Sequence, residues 1–549
     1  MRVLAMARPK RYRRLPNLRC DVTRMTVSTD RSLLALLDRG APDDIAFVVD
    51  DAAVARAAFA RMVERTSAWL VAQGVGRGDV VAVWLVNRIE WLALLFAAAR
   101  VGALIAAVNT RYRAADVAHV VGLSGAKLLV LEPGFRAIDF PAILAGVDRA
   151  AVPALEKLAI VGAGEIASRW PCVRFDAFDH AGVAAPAPQS DFDAPVLLFA
   201  TSGTTRGPKL VAHSQATLAG HALSIDSALG LSARDHSLLA MLPFCGTFGM
   251  ASVLAFFAAG VAIHALEAFD AGPALRILQE CRITHAFGSD EMFRRILALT
   301  DAARPFPHAQ LFGFAAFQPV WRESAFEADR RGLPMRGLYG SSEVQALFSI
   351  GRADAPFGDR TECGGWPMSP QAKVRVRDAG TGQLVGPGVS GELEISAPSR
   401  FLGYYRNSEA TAAAIADDGF FRTGDIGRLR ADGSFIYETR AGDAMRLGGF
   451  LVGPGEIEDE LKSCDGVADA QVVSVDLKGQ SRCVAFVIPK AGACPSEDAL
   501  IAHLRNRLAG YKVPARVFFI DAFPVADSAN GVKIQRAKLR AMAMERIGV

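Results

Sequence analysis

The alternation of apolar strand-like runs with helix-like segments constrains the fold of this chain most. Residues 52–71 place apolar side chains at helical spacing, and residues 80–85 form a continuous apolar run that indicates a fully buried strand. The same alternation continues to about residue 351. Buried strands that alternate with helices are typical of a parallel sheet covered on both faces. The sequence therefore predicts an α/β fold for this region.

The character of the sequence changes twice beyond this region. Residues 361–440 are rich in glycine and contain short β-like runs, which predict a small antiparallel sheet or barrel. Residues 441–549 combine helix-like and strand-like runs, which predicts a compact α+β unit. We therefore predict a large N-terminal domain at 27–440 and a small C-terminal domain at 441–549, preceded by a basic, disordered extension at 1–26.

The basic extension carries most of the positive charge. Residues 1–24 contain eight Arg or Lys against the single acid Asp21, although the whole chain has a net charge of +4. The body of the protein is therefore slightly acidic, which argues against a nucleic-acid-binding face. A disordered or mis-assigned extension is favoured, while an Arg-rich targeting peptide and an arm for a membrane or nucleic acid stay open.

Cysteine usage and hydropathy exclude several classes of protein. The eight cysteines are scattered without a CxxC pair or a Cys/His cluster, which argues against a zinc site or a disulfide scaffold. The most apolar stretch, residues 91–108, contains Arg100 and Gly102, so it predicts a buried helix followed by a buried strand. We expect a protein of the reducing cytoplasm, without a transmembrane segment.

The strongest local motif follows a strand-like run at 195–200. Hydroxyl side chains, glycines and a lysine make up the loop Thr201-Ser-Gly-Thr-Thr-Arg-Gly-Pro-Lys209. Glycines let backbone N–H groups approach an anion, and the hydroxyl and ammonium groups supply further donors to phosphate oxygens. The spacing differs from that of a Walker A loop, and a polar surface turn is the alternative. The candidate phosphate ligands are Thr201, Ser202, Gly203, Thr204, Thr205 and Lys209.

Four further segments contain residues suited to chemistry. They are Tyr339-Gly-Ser-Ser-Glu343, Gly419-Phe-Phe-Arg-Thr-Gly-Asp425, the stretch from Arg440 to Glu458, and Asn530-Gly-Val-Lys-Ile-Gln-Arg536. With the phosphate loop, these segments resemble in order and spacing the motifs of the adenylate-forming, or AMP-binding, superfamily. This superfamily contains acyl- and aryl-CoA ligases, stand-alone adenylation domains and beetle luciferases. The resemblance runs from about residue 32 to about residue 540.

The resemblance implies both a fold and a reaction. The implied fold has two parallel-type α/β subdomains plus a small β-barrel in the large domain, followed by a small, mobile α+β domain. In the implied reaction, a carboxylate attacks the α-phosphorus of ATP in the presence of Mg²⁺, which releases pyrophosphate and leaves an acyl-adenylate. The thiol of coenzyme A then displaces AMP.

The resemblance also implies roles for individual residues. The phosphate loop would enclose the β- and γ-phosphates, and Lys533 would bridge the substrate carboxylate and the α-phosphate. The other implied nucleotide contacts are Tyr339 with Gly340 at adenine, Ser342 at the α-phosphate, Glu343 at Mg²⁺, Asp425 at the ribose hydroxyls, and Arg440 on the ribose and phosphate side. Asp443 would be the hinge of a domain rotation, and Gly449 would leave space for the thiol of the acceptor.

The sequence departs from the superfamily pattern at several positions. Arg206 and Phe314 stand where glycine is usual, and Gly246 stands where histidine is often found. Phe314 and Phe317 would narrow or reshape the acyl pocket. Val532 is inserted before Lys533.

A carboxylate–CoA ligase is the favoured function, and the alternatives differ in the acceptor or in chemistry. A stand-alone enzyme that loads a separate carrier protein is the main alternative, ahead of a luciferase-like oxygenase and a nucleotide-binding protein without catalysis. The predicted acid pocket is rich in Phe and indicates an apolar acyl or aryl substrate, although Asp290 leaves an amino acid open. A homodimer also stays open. The pocket segments are residues 244–250, 287–290, 312–317 and 338–347.

Replacement of Arg206 by glycine tests whether this unusual cation contacts the nucleotide. A charge-assisted contact with the β- or γ-phosphate is worth about 1.5–3 kcal/mol, so Arg206→Gly should raise the KM for ATP about ten- to hundred-fold. The KM for the acid should stay nearly unchanged. Steady-state kinetics at ordinary salt decide the point, since a solvated Arg206 would leave the KM for ATP within about twofold of the parent.

Overall fold

The computed structural model describes residues 31–549 apart from 136–137, 180–183, 202–207, 234, 316–320, 448–449, 478–479, 509, 529–530 and 549. The predictions for the basic extension, for Ser202 to Arg206, and for Phe317 and Gly449 lie outside the described residues. The helices are α1 (Arg56–Ala72), α2 (Ile89–Val101), α3 (Ala114–Ser124), α4 (Phe140–Ala145), α5 (Gln215–Leu229), α6 (Thr247–Ala258), α7 (Ala271–Glu280), α8 (Asp290–Leu297), α9 (Trp321–Arg330), α10 (Phe357–Thr361), α11 (Ser408–Ala414), α12 (Pro454–Lys462), α13 (Glu497–Arg507) and α14 (Arg536–Ile547).

The strands occur throughout the described chain, with short 3₁₀ turns at Leu34–Asp38, Arg149–Ala151, Ala177–Asp179, Leu231–Ala233 and Gly510–Lys512. The strands are β1 (Ile45–Val49), β2 (Ala52–Ala55), β3 (Val80–Trp84), β4 (Leu104–Ala107), β5 (Leu128–Leu131), β6 (Lys157–Ile160), β7 (Cys172–Arg174), β8 (Pro195–Ala200), β9 (Leu210–Ser214), β10 (Ser237–Ala240), β11 (Ala262–Ala265), β12 (His285–Ser289), β13 (Leu311–Ala315), β14 (Met335–Ser341), β15 (Gln345–Ile350), β16 (Gly364–Pro367), β17 (Lys373–Arg377), β18 (Leu384–Val385), β19 (Gly391–Ser396), β20 (Gly403–Tyr404), β21 (Phe421–Leu429), β22 (Phe435–Arg440), β23 (Met445–Leu447), β24 (Phe450–Val452), β25 (Val467–Leu477), β26 (Gln480–Pro489), β27 (Val517–Phe519), β28 (Val525–Ser528) and β29 (Gly531–Ile534).

The first sheet of the large domain has eight strands in the order β20-β9-β8-β4-β3-β5-β6-β7. The strands from β8 to β7 are parallel, and β9 turns back antiparallel beside β8. Strand β3 is buried along its whole length, as its continuous apolar sequence predicts. Helix α2 is almost entirely buried and ends at Gly102, whose φ of 82° is a left-handed conformation that favours glycine. The predicted buried helix and strand at 91–108 are therefore confirmed.

The second sheet has fourteen strands and joins a parallel half to an antiparallel half. Strands β1, β11, β10, β12, β13 and β14 are parallel neighbours, and β15 turns back from β14. The antiparallel pairs of the glycine-rich region continue this sheet through β16, β22, β21, β19, β17 and β18. Residues 52–55, predicted to begin a helix, instead form the edge strand β2, because they pair antiparallel with β1.

The small C-terminal domain has its own core. Helices α12 and α13 pack on the three-stranded sheet β25-β26-β27, and hairpins β23–β24 and β28–β29 flank it. A buried ion pair joins Arg536 at the start of α14 to Glu458 on α12, with Nη2 and Oε1 2.9 Å apart. Arg322 on α9 of the large domain pairs with Asp459 on α12 as well as with Glu362. None of the helices in the described part of the chain combines the length and apolar character that crossing a bilayer requires.

Two buried histidines, one on β9 and one on α5, donate hydrogen bonds to backbone carbonyl oxygens in and beside the turn between β14 and β15. The Nε2 of His213 on β9 lies 2.8 Å from the carbonyl oxygen of Ser342, and the Nε2 of His221 on α5 lies 2.8 Å from that of Ala346. A carbonyl oxygen can only accept a hydrogen bond, so each Nε2 carries the hydrogen and donates the bond. Burial lowers the pKa of both imidazoles to about 4, because the charged form would lose its hydration. Both rings are therefore neutral donors at pH 7.

The depressed pKa values predict a loss of stability in acid. An unfolded histidine takes up a proton below about pH 6.5, whereas the folded rings resist protonation until about pH 4. The stabilisation is therefore complete above pH 6.5 and declines as the pH falls to 4, by about 1.4 kcal/mol per pH unit for each histidine. Urea unfolding between pH 7 and pH 5 measures this slope. His221→Gln keeps an amide donor but does not titrate, so an equal slope in parent and variant would contradict the assignment.

Candidate active site

A cluster of Tyr339, Asp425 and Arg440 forms where β14, β21 and β22 meet. The Tyr339 hydroxyl donates to Asp425 Oδ2 at 2.6 Å, and Arg440 Nη1 lies 2.9 Å from Asp425 Oδ1. Asp425 and Arg440 face each other in the antiparallel register of β21 and β22. Both Tyr339 and Asp425 are buried, while the Arg440 side chain is half exposed. The structure thus brings the predicted nucleotide-binding residue Tyr339 together with two others, Asp425 and Arg440, that lie far from it in the sequence.

Charge and burial fix the protonation states in this cluster. Burial, together with the Asp425 carboxylate, raises the pKa of Tyr339 well above its ordinary value, so its hydroxyl stays a donor. Burial acts to lower the pKa of Arg440, but Asp425 and the neighbouring tyrosines raise it overall. The cluster is therefore a neutral phenol and a charged guanidinium on one buried carboxylate. Such a carboxylate has oxygens suited to accept hydrogen bonds from vicinal hydroxyl groups.

Glu343 and Lys209 form a second cluster around a tyrosine that the sequence analysis did not single out. The Tyr404 hydroxyl donates to Glu343 Oε1 at 3.0 Å, and Lys209 Nζ lies 4.5 Å from the centre of the Tyr404 ring. Burial and the Glu343 carboxylate raise the pKa of Tyr404, which keeps the phenol protonated. The sequence carried a signal here, because the segment 401–405 is rich in aromatic side chains.

The ends of the phosphate loop are joined to each other. The Thr201 N–H donates to the Lys209 carbonyl oxygen at 2.9 Å, and the Lys209 N–H donates to Thr201 Oγ1 at 3.2 Å. These bonds close the base of the loop between the antiparallel strands β8 and β9. Lys209 is thereby held at the mouth of a loop whose interior, residues 202–207, lies outside the described part of the chain.

Ser342 lies between the loop-bearing strand and helix α6. Its carbonyl oxygen accepts from His213, and its hydroxyl oxygen lies 3.3 Å from Thr247 Oγ1. Gly246, found where a histidine is common, is the residue that precedes the first turn of α6. The hydroxyl of Thr247 therefore occupies the side of Ser342 that faces this helix.

Gly340 is required by a close approach of two backbones. A Cβ at position 340 would lie 2.5 Å from Ala346 Cα and 2.6 Å from the Gln345 carbonyl oxygen. Gln345 itself has a φ of 65°, and its side-chain amide donates to the Thr217 carbonyl oxygen at 2.8 Å. The turn between Tyr339 and Gln345 is therefore packed to van der Waals contact.

The C-terminal site residues lie on the small domain and its connection. Lys533 lies on β29 opposite Ala526, and Asp443 lies in a tight turn in which its N–H donates to the Arg440 carbonyl oxygen at 2.9 Å. Arg540 on α14 donates to the Gly442 carbonyl oxygen at 3.2 Å. The turn that follows Arg440 is thus bonded both to the large domain and to the last helix.

Comparison with known proteins identifies the family of the chain. The profile of the family described as AMP-binding enzyme matches residues 37–405, and that of the AMP-binding enzyme C-terminal domain matches residues 456–530. The chain is 32% identical over 93% of its length and 98% of the relative to 3-[(3aS,4S,7aS)-7a-methyl-1,5-dioxo-octahydro-1H-inden-4-yl]propanoyl:CoA ligase of Mycobacterium tuberculosis. It is 31% identical to feruloyl-CoA synthase of Amycolatopsis sp, with 88% of this chain and 93% of the relative covered.

Solved structures share the fold. ATP-bound MatB from Rhodopseudomonas palustris superposes with a TM-score of 0.79 at 24% identity, covering 94% of this chain and 99% of that one. The chain belongs to the AMP-binding enzyme family, the adenylate-forming superfamily, and within it to the acyl- and aryl-CoA ligase type. The predicted fold class and reaction are confirmed: the protein is an AMP-forming acid–thiol ligase that uses ATP and coenzyme A.

Replacement of Gly340 by alanine tests the close approach between its backbone and that of Gln345 and Ala346. The added methyl group must displace backbone atoms, so Gly340→Ala should lower the free energy of unfolding by about 1–3 kcal/mol and weaken ATP binding. Gly220→Ala is the matched control, since a Cβ at this position inside α5 meets nothing within 4 Å. That variant should gain up to about 1 kcal/mol. Urea unfolding measures both, and an equal effect of the two changes would refute the steric explanation.

Proposed function

We propose that the protein activates an apolar acyl or aryl carboxylic acid, with the Tyr339 cluster holding the nucleoside and the Glu343 cluster facing the phosphates. The contact of both Tyr339 and Arg440 with the buried carboxylate of Asp425 carries this proposal. Asp425 would accept hydrogen bonds from the ribose hydroxyls, and Tyr339 with Gly340 would contact adenine. Arg440 would contact the nucleotide on its ribose and phosphate side. A pre-formed cluster lowers the cost of ordering side chains when ATP binds.

The carboxylate of Glu343 is suited to bind a magnesium ion whose other ligands come mainly from the nucleotide. Mg²⁺ is usually bound through one or two carboxylates together with substrate phosphates and water. Glu343 offers such a carboxylate, with Tyr404 bonded to Oε1. Among the described residues, no group of three or more His, Cys, Asp or Glu side chains is arranged to hold a metal by itself. When bound, Mg²⁺ would neutralise phosphate charge, while Lys209 and the loop from Thr201 would supply further donors to the phosphates.

Lys533 and the mobility of its domain complete the proposed mechanism. Lys533 would place its ammonium between the substrate carboxylate and the α-phosphate, where negative charge grows during attack, while Ser342 would contact the same phosphate. We propose domains at 27–440 and 441–549 with a hinge at Asp443, after a basic extension at 1–26. The tight turn at Asp443 and the separate core of the C-terminal domain support a rotation about this point.

The acid substrate is expected to be apolar because three of the four predicted pocket segments contain phenylalanine. Phe248 and Phe287 lie with ring centres 6.3 Å apart, and a Cβ at Gly313 would lie 2.6 Å from Phe287. Phe314 is fully buried in β13. The relatives named feruloyl-CoA synthase and indoleacetate–CoA ligase support an aryl acid. Pyrophosphate release measured over fatty, aromatic and amino acids tests this, and a preference for amino acids would overturn it.

A carrier protein is the alternative acceptor to coenzyme A. One relative is named fatty acid–[acyl-carrier-protein] ligase ScoC, so the acceptor varies among proteins at about this similarity. Product masses after incubation of the preferred acid and ATP with CoA or with a carrier protein separate the two. We place the reaction in the cytoplasm, where a chain with eight scattered cysteines meets reducing conditions.

Separate assays of the two half-reactions test the role of Lys533. Lys533→Ala should abolish acyl-adenylate formation but leave the transfer of acyl groups from supplied acyl-AMP to CoA largely intact, because the proposed role of the lysine is confined to adenylation. A bulky residue at Gly449 should show the reverse pattern, with pyrophosphate release retained. Equal loss of both half-reactions in Lys533→Ala, at an unchanged melting temperature, would reject the assignment.

A further inference from the structure

The backbone and the ring of Tyr404 are both fixed by contacts with neighbouring residues. Strand β20 pairs with β9, which places Tyr404 opposite Val211. The Tyr404 N–H donates to Thr411 Oγ1 at 2.9 Å, and the ring meets Phe401 edge-on with ring centres 5.0 Å apart. Because the backbone and the ring of Tyr404 are both in contact with neighbouring residues, the hydroxyl has little freedom of position.

The segment that carries Tyr404 contacts Glu343 twice. The Phe401 N–H donates to the Glu343 carbonyl oxygen at 2.6 Å, and the Tyr404 hydroxyl donates to Glu343 Oε1 at 3.0 Å. The first bond fixes the backbone of Glu343, and the second fixes the direction of its carboxylate. The other carboxylate oxygen is thereby given a defined orientation.

Tyr404 also contacts the cation at the end of the phosphate loop. Lys209 Nζ lies 4.5 Å from the centre of the Tyr404 ring, within the range of a cation–π interaction. One residue therefore touches an anion and a cation that are both expected to face the phosphates of ATP. Lys209 directly precedes β9, and Glu343 lies in the turn between β14 and β15, so Tyr404 contacts two groups from separate parts of the chain.

We propose that Tyr404 is a positioning residue, whose hydroxyl orients the Glu343 carboxylate toward the magnesium ion that accompanies ATP. The proposal rests on the proposed role of Glu343 as a magnesium ligand. Hydrogen bonds to a ligating carboxylate hold it in the bound geometry, and their loss commonly costs ten- to hundred-fold in metal affinity. Tyr404→Phe removes this hydrogen bond but keeps the ring under Lys209, so the variant isolates the effect on Glu343.

Binding calorimetry without an acid substrate tests the proposal, because no turnover occurs. ATP is titrated into the full-length protein with Mg²⁺ and, separately, with EDTA. Tyr404→Phe should weaken binding about tenfold with Mg²⁺ and leave binding in EDTA within about twofold. Tyr405→Phe is the matched control, because it removes a phenol hydroxyl at the adjacent position, where the ring lies beside Arg406. It should bind like the parent under both conditions.

A double-mutant cycle with Glu343→Gln identifies the route of the effect. If Tyr404 acts through Glu343, then Tyr404→Phe should cause no further loss in the Glu343→Gln background. Equal losses from Tyr404→Phe in the two backgrounds, equal losses with and without Mg²⁺, or no loss at all would each overturn the inference. A Glu343→Gln variant that binds ATP with Mg²⁺ like the parent would overturn the proposed magnesium role as well. Melting temperatures of all variants show whether the comparison is between folded proteins.

Discussion

The backbone turn between Tyr339 and Leu347 is the constraint on which the site depends. Gly340 packs against Gln345 and Ala346, and both Gln345 and Leu347 have positive φ angles of 65° and 58°. Non-glycine residues adopt this conformation at a cost, so the surrounding contacts must hold the turn in place. The imidazoles of His213 and His221 and the amide of Gln345 do so by hydrogen bonds to buried carbonyl oxygens. This backbone turn then fixes the directions of the Tyr339 and Glu343 side chains.

The supporting contacts are neutral, while the groups proposed to contact the nucleotide include charged side chains. Neutral donors satisfy buried carbonyl oxygens without the desolvation cost that a charged donor would bring. The charged side chains lie outside this set of neutral contacts. Asp425 pairs with Arg440, and Glu343 accepts a hydrogen bond from Tyr404. A charged ligand can then be bound by a few pre-oriented groups in partly buried surroundings, where electrostatic interactions are stronger than in water.

Much of the site was predictable from the sequence because its motifs are local. The segment from Tyr339 to Glu343 covers the end of β14 and the turn that follows it, and Asp425 and Arg440 each lie in a short motif on paired strands, so short patterns suffice to recognise them. The contact between Tyr404 and Glu343 was not predictable, because it depends on β20 pairing with β9, two strands almost two hundred residues apart. The edge strand at 52–55 was mistaken for a helix, since a short alanine-rich run carries no distinct period.

The sequence by itself determined the α/β class, the order of the nucleotide-binding motifs and the membership of a family with a known type of reaction. These properties depend on the period of apolar residues and on residue identity within short segments, which the chain carries directly. Only the tertiary structure decided that His213 supports Ser342, that Gly340 must lack a side chain, and that Tyr404 lies between Lys209 and Glu343. These contacts are formed by the pairing of distant strands and by close packing, which local sequence does not encode.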